Sequence, residues 1–126
     1  MLGFESKVEK YCSIILHKSD PNQNDIRQND EFWESRNKSI IELNNLFKQQ
    51  QDFFKTNVND ILNSSILRNL VGPIKSLMSD LRSQQIRDTC IFLSTLSSIL
   101  GDHSKSFLSI FTSYLKLHNF LITKFL

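Results

Sequence analysis

Residues 83–101, which read SQQIRDTCIFLSTLSSILG, decide the fold. Apolar side chains recur in this stretch at steps of three and four residues, which places them on one face of an α-helix. They are Ile86, Cys90, Leu93, Leu96 and Leu100. Ser83 can cap the start of the helix, and Gly101 can end it, because glycine tolerates the backbone conformations common after a helix.

The same spacing recurs outward from this stretch, and no segment alternates apolar and polar residues as a strand would. Predicted helices cover residues 4–18, 30–50, 64–78 and 104–126. Asp30 is the expected N-cap of the second helix, and Gly72-Pro73 should kink the third helix or split it in two. Residues 52–63 form a weaker candidate for a short helix. The sequence therefore predicts an all-α fold.

Length and charge restrict the class of protein. The 126 residues fit a single domain spanning 1–126. The formal charge is +2 and the pI is near 8.6, which is too mild for a nucleic-acid-binding surface. A weakly basic surface suits an acidic protein partner without requiring one.

Residues able to bind metals or perform catalysis are scattered. Cys12 and Cys90 lie among apolar residues, which favours buried free thiols over a disulfide and fits a reducing compartment. His17, His103 and His118 form no metal-ligand spacing with each other or with cysteines. No phosphate-binding loop or nucleophile elbow is present in the sequence. We therefore expect no enzyme activity, no metal and no cofactor.

The apolar end of the chain raises the question of a membrane helix. Residues 107–126 are long enough to span a bilayer, but Lys116, His118 and Asn119 interrupt them near the middle. A central lysine alone costs about 2.5–3.5 kcal/mol on insertion scales. A core or capping helix is the favoured interpretation, and on this ground membrane association is not expected.

Two segments can be laid over each other as repeats. WESRNKSI at 33–40 aligns with QIRDTCI preceded by Gln84, so that Arg36 falls on Arg87. Each arginine is expected near the start of a helix that follows an acidic turn, at Asp30 and at Asp80. This is the pattern of HEAT repeats, with an insertion near residues 49–63 because the spacing exceeds the usual ~40–47 residues.

The resemblance extends to one family. Residues 80–91 and 96–101 closely resemble the second repeat of the TOG domains of CLASP (CLIP-associating) proteins, and Trp33-Glu34-Ser35-Arg36 resembles the Trp-x-x-Arg of the first repeat. The resemblance covers residues 30–115, and 116–126 are a divergent apolar tail. A full array is about twice as long. The resemblance therefore implies an α-solenoid of two to three HEAT-type hairpins, the N-terminal half of a TOG array.

The family also implies a function. TOG domains bind αβ-tubulin through an edge formed by the loops within their repeats. Carried onto this sequence, the resemblance makes Trp33 a tubulin contact and makes Arg82, Ser83 and Gln84 candidate contacts. It implies a cytoplasmic protein that associates with the microtubules of the cytoskeleton, with the spindle and the centrosome as candidate locations. Arg36 and Arg87 are expected to be structural residues that bond to neighbouring turns.

Alternatives remain open at several of these residues. Periodicity alone places Trp33 in the core, whereas the resemblance places it at an interface. For Arg82, which is expected in a turn, a role at the interface has even odds. Ser83 is first a helix cap and only second a tubulin contact. The rival hypothesis for the whole chain is a plain α-solenoid scaffold that binds another protein through its helical faces and does not bind tubulin.

Overall fold

The computed structural model describes residues 3–17, 26–80 and 82–111, and its regular elements are all helical. The α-helices are α1 (Phe4–Leu16), α2 (Ile26–Gln49), α3 (Gln51–Thr56), α4 (Val58–Leu62), α5 (Ile66–Met78), α6 (Ser83–Leu100) and α7 (Ser104–Leu108). Single 3₁₀ turns at Gly101–His103 and Ser109–Phe111 flank α7. No β-strand occurs in these three ranges, so the all-α prediction is confirmed.

The first hairpin consists of α1 and α2, which pack against each other in opposite directions. Phe4, at the start of α1, has its ring centroid 5.1 Å from that of Phe47, near the end of α2. At the other end, the backbone oxygen of Ile15 accepts a 2.9 Å hydrogen bond from Nε of Arg36. The start of one helix therefore lies beside the end of the other.

The second hairpin, α5 and α6, stacks on the first with equivalent helices side by side. Arg36 bonds to Ile15 near the end of α1 and to Ser76 near the end of α5, so these two helices run in the same direction. Helices α2 and α6 also run in the same direction, because the Thr95 hydroxyl donates a hydrogen bond to the side-chain oxygen of Asn44, while Arg82 lies beside Trp33. Helices α1 and α5 thus end, and α6 begins, at one end of the stack, which we call the turn end.

The opposite end is filled by aromatic side chains from four helices. Phe4, Phe47, Phe54 and Phe92 are buried and meet at centroid distances of 5.1–5.3 Å for three of their pairs, in edge-to-face orientations. Edge-to-face pairs add to the free energy gained by burying the rings. The chain has no alanine. Large rings therefore do the close packing that small residues often do in helix interfaces.

Several local predictions are corrected. Helix α2 begins at Ile26, so Asp30 lies inside the helix and is neither an N-cap nor part of a turn. The N-cap of α6 is Arg82, so Ser83 is the first residue of the helix and not its cap. No side chain forms a capping hydrogen bond at this helix start. Helix α5 continues through Pro73, so of the two predicted alternatives the split is wrong and the kink stays a prediction. Gly72 lacks the Cβ that would meet the proline ring, which removes one reason for the helix to end there.

Other predictions are confirmed. Gly101 ends α6 with a φ of 56°. Cys12 and Cys90 are buried free thiols. The weak segment 52–63 forms the short helices α3 and α4, which bury Phe54 and Ile61. The last predicted helix begins at Ser104 as expected, but α7 ends at Leu108 and a 3₁₀ turn follows, and residues 112–126 of that prediction lie outside the described residues.

Candidate functional site

Trp33 lies in the second turn of α2 at the turn end, and its side chain is half-buried. The guanidinium carbon of Arg82 lies 5.1 Å from the centroid of the indole ring, within the range of a cation–π interaction. The indole Nε1 is buried and has no hydrogen-bond partner among the described residues. Two predicted contact residues, 49 positions apart in the chain, are therefore in direct contact.

Asp80 organises the connection between α5 and α6. Its Oδ1 accepts a 3.0 Å hydrogen bond from the backbone nitrogen of Arg82. Its Oδ2 accepts a 2.9 Å hydrogen bond from Nε2 of Gln85, whose side chain is fully buried. An aspartate that bonds to a backbone nitrogen two residues later fixes a turn. Asp80 therefore fixes the backbone position from which the side chain of Arg82 extends.

Arg36 ties the two hairpins together. Besides the bond to Ile15, its Nη2 donates a 2.7 Å hydrogen bond to the hydroxyl of Ser76 in α5. Its Nη1 lies 3.8 Å from Oδ2 of Asp80, in the turn of the second hairpin. Burial lowers the pKa of the Arg36 guanidinium; the charge of Asp80 opposes this shift and the charge of Arg82 adds to it. Arginine remains charged even so.

Arg36 and Arg87 occupy level positions in the stack but have different surroundings. The Asn44–Thr95 hydrogen bond joins residues 51 positions apart, and Arg87 follows Arg36 by the same 51 positions (87 − 36). Arg36 is nevertheless the eleventh residue of α2, counted from Ile26, rather than near its start. The side chain of Arg87 is 45% exposed, and its Nε lies 3.9 Å from Oδ1 of the adjacent Asp88. The bonds of Arg36 reach the neighbouring helices α1 and α5.

The other two predicted contacts differ in their freedom to meet a partner. Ser83 is exposed next to Arg82. Gln84 is half-buried, and its Nε2 donates a 2.9 Å hydrogen bond to Oδ2 of Asp88 in the same helix. The candidate surface at the turn end therefore consists of Trp33, Arg82 and Ser83, with Gln84 turned along α6.

Sequence reasoning missed the hydrogen-bonding role of Gln85 and Ser76, and gave Asp80 only a place in a repeat pattern. Ser76 bonds to Arg36, 40 positions earlier, so no local signal could identify that bond, whereas Asp80 and Gln85 are only five positions apart. It also missed a groove of about 520 Å³ between α1 and α2, lined by Tyr11, Ile14, Lys38 and neighbouring residues. A smaller groove of about 350 Å³ continues it toward His17.

In the described part of the chain, no three histidine, cysteine or acidic side chains are grouped as metal ligands would be. None of the described helices combines the length and apolar character needed to cross a bilayer. Comparison of the chain with protein-family models, with curated proteins and with solved structures finds no match. Function is therefore inferred from the geometry of the turn end and from the sequence resemblance.

Proposed function

We propose that this chain is a non-catalytic, microtubule-associated module of CLASP TOG type that docks on αβ-tubulin through the turn end. The observation that carries the proposal is the 5.1 Å contact between Arg82 and the ring of Trp33. The resemblance assigns tubulin contacts to both hairpins, and this contact brings one residue from each hairpin onto one surface. An aromatic anchor beside an exposed cation suits an acidic partner.

The arrangement of helices also supports a HEAT-type solenoid. Solenoids stack similar helical hairpins so that each hairpin covers the apolar face of its neighbour. Here α1 lies beside α5 and α2 lies beside α6, and Arg36 of the first hairpin meets Asp80 of the second. The short helices α3 and α4 occupy the segment in which the repeat alignment requires an insertion.

Co-elution with unpolymerised tubulin on a sizing column tests the proposal. We expect Trp33→Ala and Arg82→Glu each to weaken binding by about thirtyfold, since interface anchors cost about 2 kcal/mol or more when truncated. Arg68→Glu is the control, because Arg68 is exposed on α5 about three turns before the turn end. The assigned surface is wrong if both variants bind tubulin as the unaltered chain does.

A scaffold that binds another protein through its helical faces is the second candidate function. The half-buried state of Trp33 favours it, as does the groove between α1 and α2. Ile14→Glu would place a charge in that groove without altering the turn end. If Ile14→Glu binds tubulin as strongly as the unaltered chain does, the turn end is supported as the binding surface. No co-elution of the unaltered chain at any tubulin concentration leaves the scaffold hypothesis as the better one.

A further inference from the structure

Arg82 lies over Trp33 in a way that hides a residue expected to be exposed at an interface. The side chain of Arg82 is exposed, whereas that of Trp33 is half-buried with its Nε1 fully covered. An arginine has a long, flexible stem, so it can leave a ring without any movement of the backbone. Part of the burial of the indole therefore depends on a side chain that is free to move.

Little holds the Arg82 guanidinium in this position. Among the carboxylate side chains that the structure describes, none lies at ion-pair distance from it. The nearby Asp80 already accepts hydrogen bonds from the backbone of Arg82 and from Gln85, and it faces Arg36. The positive charge of Arg36 is close enough to Arg82 for the two to influence each other. The ring of Trp33 is thus the principal contact of the guanidinium.

The covered state also carries a cost. A buried N–H group without an acceptor is unfavourable, and Nε1 of Trp33 is such a group. A cation–π contact at an exposed site favours the covered state by roughly two- to fivefold. A charge-assisted, two-pronged bond between arginine and a carboxylate is stronger than that. A partner carboxylate can therefore compete successfully with the ring.

We propose that Arg82 is a displaceable cover on Trp33, which a carboxylate of the partner draws away so that the indole can enter an apolar pocket beside that carboxylate. This inference rests on the proposed function for the nature of the partner. It names the chemistry that the turn end recognises: an acidic group next to an apolar pocket. The uncovered Nε1–H can then donate to an oxygen of the same partner. A partner with an apolar surface and no carboxylate would leave Arg82 in place, so the indole would stay covered.

Acrylamide quenching of the single tryptophan tests the cover in the free protein, without tubulin. We expect Arg82→Gln to raise the quenching constant at least about twofold, and Arg82→Lys to raise it less, since lysine keeps the charge but lacks the flat guanidinium. Arg68→Gln, which removes an exposed arginine elsewhere, should leave the constant unchanged. Far-UV circular dichroism confirms that each variant is folded.

A poly-L-glutamate peptide at low salt supplies the carboxylates for the second half of the test. It should raise the quenching constant of the unaltered chain toward that of Arg82→Gln and leave Arg82→Gln unaffected. The proposal is overturned if Arg82→Gln quenches like the unaltered chain, or if poly-L-glutamate leaves the unaltered chain unchanged. Both results are independent of tubulin binding, so failure of the proposed function and failure of the cover can be distinguished.

Discussion

At the scale of single residues, polar side chains at the turn end connect parts of the chain that are far apart in sequence. Arg36 is bonded to α1 and α5 and faces the turn before α6. Asp80 accepts from the backbone of its own turn and from Gln85. Buried polar groups stabilise a fold only when their bonds are made. The position of Arg82 over Trp33 therefore depends on the bonds that Asp80 and Arg36 make around it.

The two cysteines give a prediction at the same scale. Burial, with a smaller contribution from the charge of Glu9, raises the pKa of Cys12 to about 11. Burial alone raises the pKa of Cys90 to about 11. A shift of two units leaves about a hundredfold less thiolate at pH 8 than in an ordinary cysteine. We expect Ellman's reagent at pH 8 to react at least about a hundredfold more slowly with the native chain than with the chain in denaturant.

The same shifts set a pH dependence of stability. Both thiols bind their protons more tightly in the folded state than at their ordinary pKa of 9.0. Their contribution is therefore complete below about pH 9 and is lost as the pH rises toward about 11. Repeating the reaction with Ellman's reagent on Cys12→Ser measures the rate of Cys90 alone. A native chain that reacts within tenfold of the denatured rate would contradict the burial of both.

At the scale of elements, the ends of helices are determined by backbone conformation. Gly101 ends α6 with φ 56° and ψ −122°, a combination that residues with a Cβ rarely adopt. A Cβ at this position would meet no atom within 4 Å, so a substitution would cost backbone strain rather than a steric clash.

We expect Gly101→Ala to lower the free energy of unfolding by about 1–3 kcal/mol. Urea unfolding followed by circular dichroism measures the change. Ser98→Ala, at an exposed position near the end of the same helix, is the control and should change stability by less than about 0.5 kcal/mol. Equal effects of the two substitutions would show that the conformation of Gly101 is not required.

Periodicity predicted the elements better than their contacts. Leu93 and Leu96 fall on the buried face of α6 as the three-and-four spacing indicated. The start of α2 was missed because residues 26–29, IRQN, contain only one apolar side chain and Asp30 offered a later N-cap. The contact between Trp33 and Arg82 could not be predicted from either local sequence alone, because it forms only when the hairpins stack.

At the scale of the whole molecule, the relative position of the two hairpins is fixed by a buried polar pair. The hydroxyl of Thr95 in α6 donates to the side-chain oxygen of Asn44 in α2, and both side chains are buried. Apolar faces can slide past one another with little change in burial, whereas a buried hydrogen bond forms at one position only. This pair therefore sets which residues of α2 and α6 lie level with each other.

We expect Thr95→Val to destabilise the chain by about 1–3 kcal/mol, because Asn44 then keeps a buried oxygen without its donor. The double variant Asn44→Leu/Thr95→Val should recover part of that loss, since neither side chain then needs a partner. Thermal unfolding measures both. Thr56→Val, at an exposed position in α3, is the control. If the double variant lost as much stability as Asn44→Leu and Thr95→Val together, a direct bond between the two side chains would be contradicted.

The four-phenylalanine cluster lies at the end of the stack away from Trp33 and Arg82. Twelve residues of α1 separate Phe4 from Leu16, which is about 18 Å at 1.5 Å per residue. The side chains that contribute most burial are thus remote from those that would meet a partner. Substitutions around Trp33 can consequently adapt that surface to a partner other than the proposed one, while the four-phenylalanine cluster continues to hold the chain folded.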